Sequence, residues 1–195
     1  MSKKKFSPKE IIIPTVTLLV ICVAAAALLG FTNSLTEDKI ASIDAENKAQ
    51  AMEAVMPDAV SFGGAVTVDD DVEYSAAYDA DGNIIGYAFT VSESGYGGEI
   101  QVMTGVNTDG SISKVTVLSA DNETPGLGQN TTKDSFLDQF MGKIGELTVV
   151  KNAASGDSEI QAVTSATISS SAVVRAVNAA TEYFENNLKG GTDNG

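Results

Sequence analysis

Residues 11–31, IIIPTVTLLVICVAAAALLGF, carry no charged side chain. At about 1.5 Å per residue a helix of this length spans about 31 Å, close to the ~30 Å hydrocarbon core of a bilayer. Lys3, Lys4, Lys5 and Lys9 precede it. A cleavable signal peptide has a shorter apolar core, about 7–15 residues, with its small-residue site after that core. Here the Ala24-x-Ala26 pattern lies inside the run, and Cys22 follows Ile21 rather than the small residue a lipoprotein site wants. The run therefore reads as a retained transmembrane helix, with Pro14 in its first turn, where a missing N–H costs little. The lysines place the N-terminus in the cytoplasm and residues 32–195 on the far side.

This anchor sets the domain organisation. Residues 1–10 are a basic cytoplasmic tail, 11–31 the transmembrane helix, 32–58 a juxtamembrane helix, 59–189 an extracytoplasmic domain and 190–195 a flexible tail. The chain has 12 Lys+Arg and 26 Asp+Glu, and four Lys and one Glu precede the anchor, so 8 against 25 remain outside, a net of −17. Nucleic-acid phosphates would be repelled by such a domain. Solubility explains the charge without any ligand. Histidine is absent, which removes His-based triads, His metal sites and imidazole proton shuttles. The one cysteine, Cys22, sits in the anchor, so the domain has no thiolate cluster and no intramolecular disulfide. Chemistry is left to hydroxyls, carboxylates, backbone amides or a bound organic cofactor.

Hydrophobic patterning predicts a helix over 34–56, capped at Thr36 and ended by Pro57. VEYSAAY (72–78) and IIGYAFTV (84–91) flank DADGN; EIQVMTGV (99–106) and ISKVTVLS (112–119) flank NTDGS. Both read as hairpins. A short helix is expected over 132–141 with Phe136, Leu137 and Phe140 on one face. Short strands follow at 146–150 and 159–163, and a last helix at 168–188 with Val173, Val174, Val177, Tyr183, Phe184 and Leu188 as its apolar members. Strand pairs followed by helices imply an α+β fold: one N-terminal transmembrane helix, then a domain with a largely antiparallel sheet packed by helices.

Two glycine-rich loops interrupt this pattern, SESGYGGEI (92–100) and SADNETPGLGQN (119–130). Neither has the end of a Walker A loop or a G-x-G-x-x-G unit. The third unusual stretch is VTSATISSSAVVRAVNAA (163–180), with Thr164, Ser165, Thr167, Ser169, Ser170 and Ser171 at a helix entrance. One of Thr164, Ser165, Thr167 or Ser169 reads as an N-cap. The surplus hydroxyls also suit an anion at the helix N-terminus, where N–H groups are unpaired and the dipole favours negative charge. Small Ser165 and Ala166 leave clearance. These residues name a phosphate beside a hydroxyl and no more.

The TSAT of 164–167 with ISSSAVVRAVN after it resembles the flavinylation motif of the FMN-binding subunits of bacterial Rnf and Nqr redox complexes. GYGGEIQVMTGVNTDGSISKV (95–115), ETPGLG (123–128) and the single anchor match the same family in order, over essentially the whole chain. The G subunits of Rnf complexes are the nearer branch, and the C subunits of Nqr complexes the other. The resemblance implies FMN joined by a phosphoester to Thr167 by a separate flavin transferase. It implies cofactor contacts from Thr164, Ser165, Ala166, Ile168 and Ser169, from Glu123, Thr124, Leu127 and Gly128, and from Tyr96, with Ser169 to Ser171 placed to meet the phosphate. It implies no metal. The family pattern commonly has Gly where this chain has Ser165, and often an acidic residue at Gln161.

The function so implied is electron relay in a membrane-bound ferredoxin:NAD+ oxidoreductase that moves Na+ or H+. Electrons would pass between an intramembrane iron–sulfur centre and another flavin subunit. The implied partners are the A, D and E membrane subunits, the B and C peripheral subunits, the flavin transferase, and lipid around the helix. The alternatives are the equivalent subunit of a sodium-translocating NADH:quinone reductase and a flavin-free anchored scaffold domain.

Overall fold

The computed structural model describes residues 8–69 and 72–190. The expected basic tail, apart from the backbone of residues 8–10, and residues 191–195 lie outside them. A single helix α1, Pro8–Val55, takes up both segments expected to be helical. Two expectations change with it. Pro14 lies inside the helix rather than in its first turn. Thr36 caps nothing: its hydroxyl donates back to the Thr32 carbonyl at 2.6 Å, as a mid-helix threonine does. The stretch Ile12–Glu37 is long and apolar enough to cross a membrane. The chain divides into two compact units after Glu46, so the last turns of α1 belong to the second.

That second unit is built on an antiparallel sheet. Strands β1 (Ser61–Phe62), β2 (Val66–Asp69), β3 (Val72–Tyr78), β4 (Ile84–Ser94), β5 (Glu99–Asn107) and β6 (Ile112–Ser119) follow in chain order. The sheet runs β1-β3-β4-β5-β6, with β2 also on β3. Both expected hairpins are present. Their turns are fixed by Gly82 and Gly110, at φ +82° and +88°, where a side chain would be strained. Asp79 accepts the N–H groups of Asp81 and Asn83, and Asp109 that of Ser111, so each aspartate closes its own turn. β1 and β2 were not foreseen; runs of two and four residues are too short to show alternation.

Strand alternation gives the sheet two apolar faces. Tyr87, Phe89 and Val91 of β4, with Ile100, Val102 and Val106 of β5, point to one side. Helix α3, Thr167–Tyr183, lies there and buries Ala172, Val173, Ala176, Val177 and Ala180, spaced three and four apart. It runs on into a π-helical turn, Phe184–Leu188, with Phe184 buried. The segment expected as one helix over 132–141 is instead a 3₁₀ turn (Gly128–Thr132), a one-turn helix α2 (Asp134–Leu137) and another 3₁₀ turn (Asp138–Phe140). Phe136, Leu137 and Phe140 still reach the same core. β7 (Thr148–Val150) and β8 (Glu159–Gln161) make a separate parallel pair.

The other face meets the end of α1. Ala51, Val55 and Met56 pack on Ala77, Ala88 and Met103. Gly105 permits this, because a Cβ there would run into the Val55 carbonyl oxygen.

Candidate functional site

Three segments converge at one end of the sheet. The first is the tight link between β4 and β5, residues 95–98, closed by the Gly95 N–H donating to the Gly98 carbonyl at 2.8 Å. The second is the loop 120–128 after β6. Its turn is held by the Leu127 N–H on the Thr124 carbonyl at 3.1 Å, with Gly126 at φ +77°. The third is the entrance of α3. Together they enclose a cavity of about 560 Å³ lined by Tyr96, Glu123, Thr124, Leu127, Gly128 and residues 165–169. Small-molecule sites span ~300–1,000 Å³. Among the described residues no Lys or Arg lines the cavity, and no His/Cys/Asp/Glu group is arranged to hold a metal ion.

The entrance of α3 differs from a capped helix. Ala166 stands at the N-cap position, and no side chain caps the helix. The first intrahelical bond is the Ser170 N–H to the Ala166 carbonyl at 2.9 Å. The N–H groups of Thr167, Ile168 and Ser169 precede it, so helix geometry gives them no acceptor within α3. The cap expected at Thr164, Ser165, Thr167 or Ser169 is thus absent: Ala166 takes the N-cap position, and Ser169 is engaged elsewhere. Ser170 accepts the Val163 N–H at 3.0 Å and donates to the Ala166 carbonyl at 2.9 Å, tying the incoming chain to the first turn. Ser169 donates to Glu123 Oε2 at 2.6 Å. Both serines are buried, so their hydroxyls are not the ones offered to a phosphate.

Ser165 has φ +64°, alone among the non-glycine residues described. A side chain in the left-handed region costs roughly 1–2 kcal/mol. This explains physically why glycine suits the position. Ser165→Gly should therefore raise stability by about 1 kcal/mol, seen as a higher urea midpoint at unchanged slope; a lower midpoint would contradict it. The reversal at Ser165 also sends Thr164 away from the cavity. Thr164 lines a separate polar depression with Gln161, Lys133 and Gln139. Ser170 and Ser171, expected near the phosphate, are not on the cavity wall either, whereas Tyr96, Glu123, Thr124, Leu127, Gly128, Ser165, Ala166, Thr167, Ile168 and Ser169 all are.

Glu123 joins the three segments. It is 2% exposed. Its Oε1 accepts the N–H groups of Tyr96 at 2.7 Å and Gly97 at 3.0 Å, and its Oε2 accepts the Ser169 hydroxyl. Burial by itself pushes this carboxyl up. The Ser169 hydroxyl and the N–H groups of Gly97, Tyr96 and Gly98 outweigh burial and hold it below its ordinary value of 4.5. A group depressed in the folded state stabilises above its unfolded value, and that stability is lost as pH falls through the folded value. The stability gap between the parent and Glu123→Gln should therefore be full at pH 7 and shrink well below pH 4.5. Urea melts at pH 7 and pH 3 check this, and a gap that widens in acid would refute it.

The backbone around Glu123 is shaped to admit its carboxylate. A Cβ on Gly95 would meet Oε1, and one on Gly128 would meet Oε2, with Ser169 Oγ at 2.8 Å. Arg175 of α3 braces the far side of the 95–98 link. It donates to Glu93 at 2.9 Å and to the Ser94 carbonyl at 2.8 Å. Sequence reasoning missed both the fastening role of Glu123 and the Arg175 brace. One signal was available: Glu123 is the only charged residue between Asp121 and Lys133.

Comparison with known proteins agrees with this geometry. Residues 95–182 match the family of FMN-binding domains, and residues 1–55 match the RnfG N-terminal region. The chain is similar to the G subunit of the ion-translocating oxidoreductase complex of Methanosarcina acetivorans, 35% identical over 90% of this chain and 95% of that one. It is equally similar to the G subunit of the Na+-translocating ferredoxin:NAD+ oxidoreductase complex of Acetobacterium woodii, 35% identical over 87% of this chain and 89% of that one. Among solved structures, Shewanella oneidensis NqrC shares the fold, with a TM-score of 0.52, 20% identity, and coverage of 70% of this chain and 74% of that one.

Proposed function

Because the chain belongs to the family of G subunits of ion-translocating oxidoreductase complexes, we propose that it is a covalent FMN carrier and electron relay on the extracytoplasmic side of such a complex. The chain is a membrane-anchored, FMN-binding subunit of an ion-translocating ferredoxin:NAD+ oxidoreductase. The linkage, the site residues, the orientation and the electron route are what we add to that.

The single observation that carries the linkage is the half-buried Thr167 at the uncapped start of α3, on the wall of the 560 Å³ cavity. Its hydroxyl oxygen would displace the leaving phosphate of an activated flavin nucleotide (a phosphoanhydride of FMN) held by the transferase: the Oγ–P ester forms, the anhydride P–O bond breaks, and the hydroxyl proton passes to the departing phosphate. The N–H groups of Thr167, Ile168 and Ser169 would face the remaining phosphodiester charge. The residues present fit the group: a partly apolar cavity for a ring system, and unpaired N–H donors for a phosphate. The absence of Lys or Arg from the described lining favours a tether, because a free, doubly charged phosphate would enter beside the buried Glu123 anion with no cation to offset it.

When bound, the flavin supplies the electron-carrying chemistry. The protein places and shields it. Thr167 tethers it, Ser165, Ala166 and Gly128 provide clearance, and Tyr96, Thr124, Leu127 and Ile168 edge the cavity. Leu127 and Ile168 are 41% and 54% exposed and Tyr96 71%, so the rim is apolar and open, as short-range electron exchange with a partner requires. Thr164 has no place in this cavity and would instead face the flavin transferase.

The lysines before the apolar stretch put the N-terminus in the cytoplasm and the cavity outside. Electrons would enter from an intramembrane iron–sulfur centre and leave to another flavin subunit. The partners would be the A, D and E membrane subunits and the B and C peripheral subunits. Purification from membranes with an affinity tag on this chain tests the assembly. Co-purification of those subunits, with flavin fluorescence that stays on this chain in a denaturing gel, is expected. A chain that purifies alone and loses its flavin on denaturation would overturn the proposal.

A further inference from the structure

We propose that Glu123 is the positioning residue of the flavin site, pinning the 95–98 link and the first turn of α3 to one buried carboxylate whose fixed charge lowers the reduction potential of the group in the cavity. This inference rests on the covalent-FMN reading above. Three donors from two distant segments converge on the carboxylate: the Tyr96 and Gly97 N–H groups and the Ser169 hydroxyl. Both oxygens accept, Oε1 from two N–H groups and Oε2 from the Ser169 hydroxyl, a set that favours the ionised carboxylate. The backbone makes room for it at Gly95 and Gly128, where any Cβ would collide with its oxygens.

The electrostatic consequence follows from the lining. Glu123 lies on the wall of the cavity, and among the described residues no lysine or arginine lines it. Arg175, the cation that braces the 95–98 link, is spent on Glu93 and the Ser94 carbonyl. A negative charge in a buried, poorly screened place disfavours the arrival of electrons beside it. The hydrogen bonds from Ser169, Tyr96 and Gly97 keep Glu123 ionised and partly offset its field.

The charge and its donors therefore act in opposite directions. Glu123→Gln removes the charge and keeps the shape, so the midpoint potential of the bound flavin should rise. Ser169→Ala keeps the charge and removes one donor, so the potential should fall. A merely structural role would move stability in both variants without ordering the potentials.

The test is spectroelectrochemical titration of the full-length, flavinylated chain in detergent, for the parent, Glu123→Gln and Ser169→Ala, with intact mass to count attached flavin. Glu123→Gln above the parent and Ser169→Ala below it is the expected order. An unchanged or lowered potential in flavinylated Glu123→Gln overturns the inference. If that variant fails to fold, Ser169→Ala decides alone, and an unchanged or higher potential there overturns it. Failure of the covalent reading is seen separately, because the parent itself would then carry no attached flavin by mass.

Discussion

Thr167→Val should abolish covalent flavin while leaving the fold intact. Valine keeps the branched shape and fits the first turn of α3, where the Thr167 side chain caps nothing and has no hydrogen-bond partner among the described residues. Only the hydroxyl oxygen is lost. Fluorescence on this chain in a denaturing gel should drop from full to background, and stability from urea melts should move by less than about 0.5 kcal/mol, as for a surface change. Thr167→Ser keeps an acceptor oxygen at the same turn and should retain flavin. Three of the neighbouring hydroxyls are not placed to substitute in Thr167→Val. Ser169 and Ser170 are buried and donate to Glu123 and the Ala166 carbonyl, and Thr164 faces another depression. Full fluorescence in Thr167→Val would remove the attachment point from the account.

Gly128→Ala should have the second-largest effect, and on a different quantity. The added methyl runs into Glu123 Oε2 and comes within 2.8 Å of Ser169 Oγ. One of these must move, and both belong to the fastening between loop 120–128 and α3. Overpacking costs about 1–3 kcal/mol, and a carboxylate left buried without its donors adds to that. We expect a loss of roughly 2–4 kcal/mol in urea melts, within the range for combined core and polar defects. Flavin attachment should fall as well, because the wall opposite Thr167 shifts. Gly126→Ala is the control: no atom lies within 4 Å of its would-be Cβ, so only the strain of φ +77° is incurred. A Gly128→Ala protein as stable as the parent would mean that the loop does not pack on Glu123 as described.

Much of the fold was legible because its signals are local. DADGN and NTDGS each combine an aspartate that accepts its own turn's N–H groups with a glycine at positive φ. Strand alternation on either side then sets the register. α3 announced itself by Val173, Val174 and Val177. What could not be read was set by tertiary contact. The helix expected to begin at Thr36 is continuous with the apolar run, because no residue between them breaks it. The 132–141 segment breaks into 3₁₀ turns and one helical turn, since Phe136 and Phe140 are drawn into a core that its own periodicity does not describe.

The site shows the same division. The two segments TSAT and ETPGLG could be named from sequence, and Ser165, Ala166, Thr167, Glu123, Thr124, Leu127 and Gly128 of them line one cavity. Their individual tasks could not. The hydroxyl row looked like spare phosphate ligands, yet Ser169 and Ser170 are internal fasteners. They are separated by 46 and 7 residues from Glu123 and Val163, the groups they bond. Partners at such separations leave no trace in spacing. Ser165 is the instructive case: its departure from glycine was visible, but its meaning emerges only in a φ of +64°.

If the flavin is held as proposed, one hydroxyl, that of Thr167, carries it. The most direct measurement is tandem mass spectrometry of the tryptic peptide 152–175, released by cleavage after Lys151 and Arg175, from chain purified out of cells that contain the flavin transferase. That peptide contains eight candidate hydroxyls: Ser155, Ser158, Thr164, Ser165, Thr167, Ser169, Ser170 and Ser171. One addition is expected, the mass of FMN less one water, with fragment ions placing it on Thr167. An unmodified peptide, or fragments placing the flavin on any of the other seven, would contradict it.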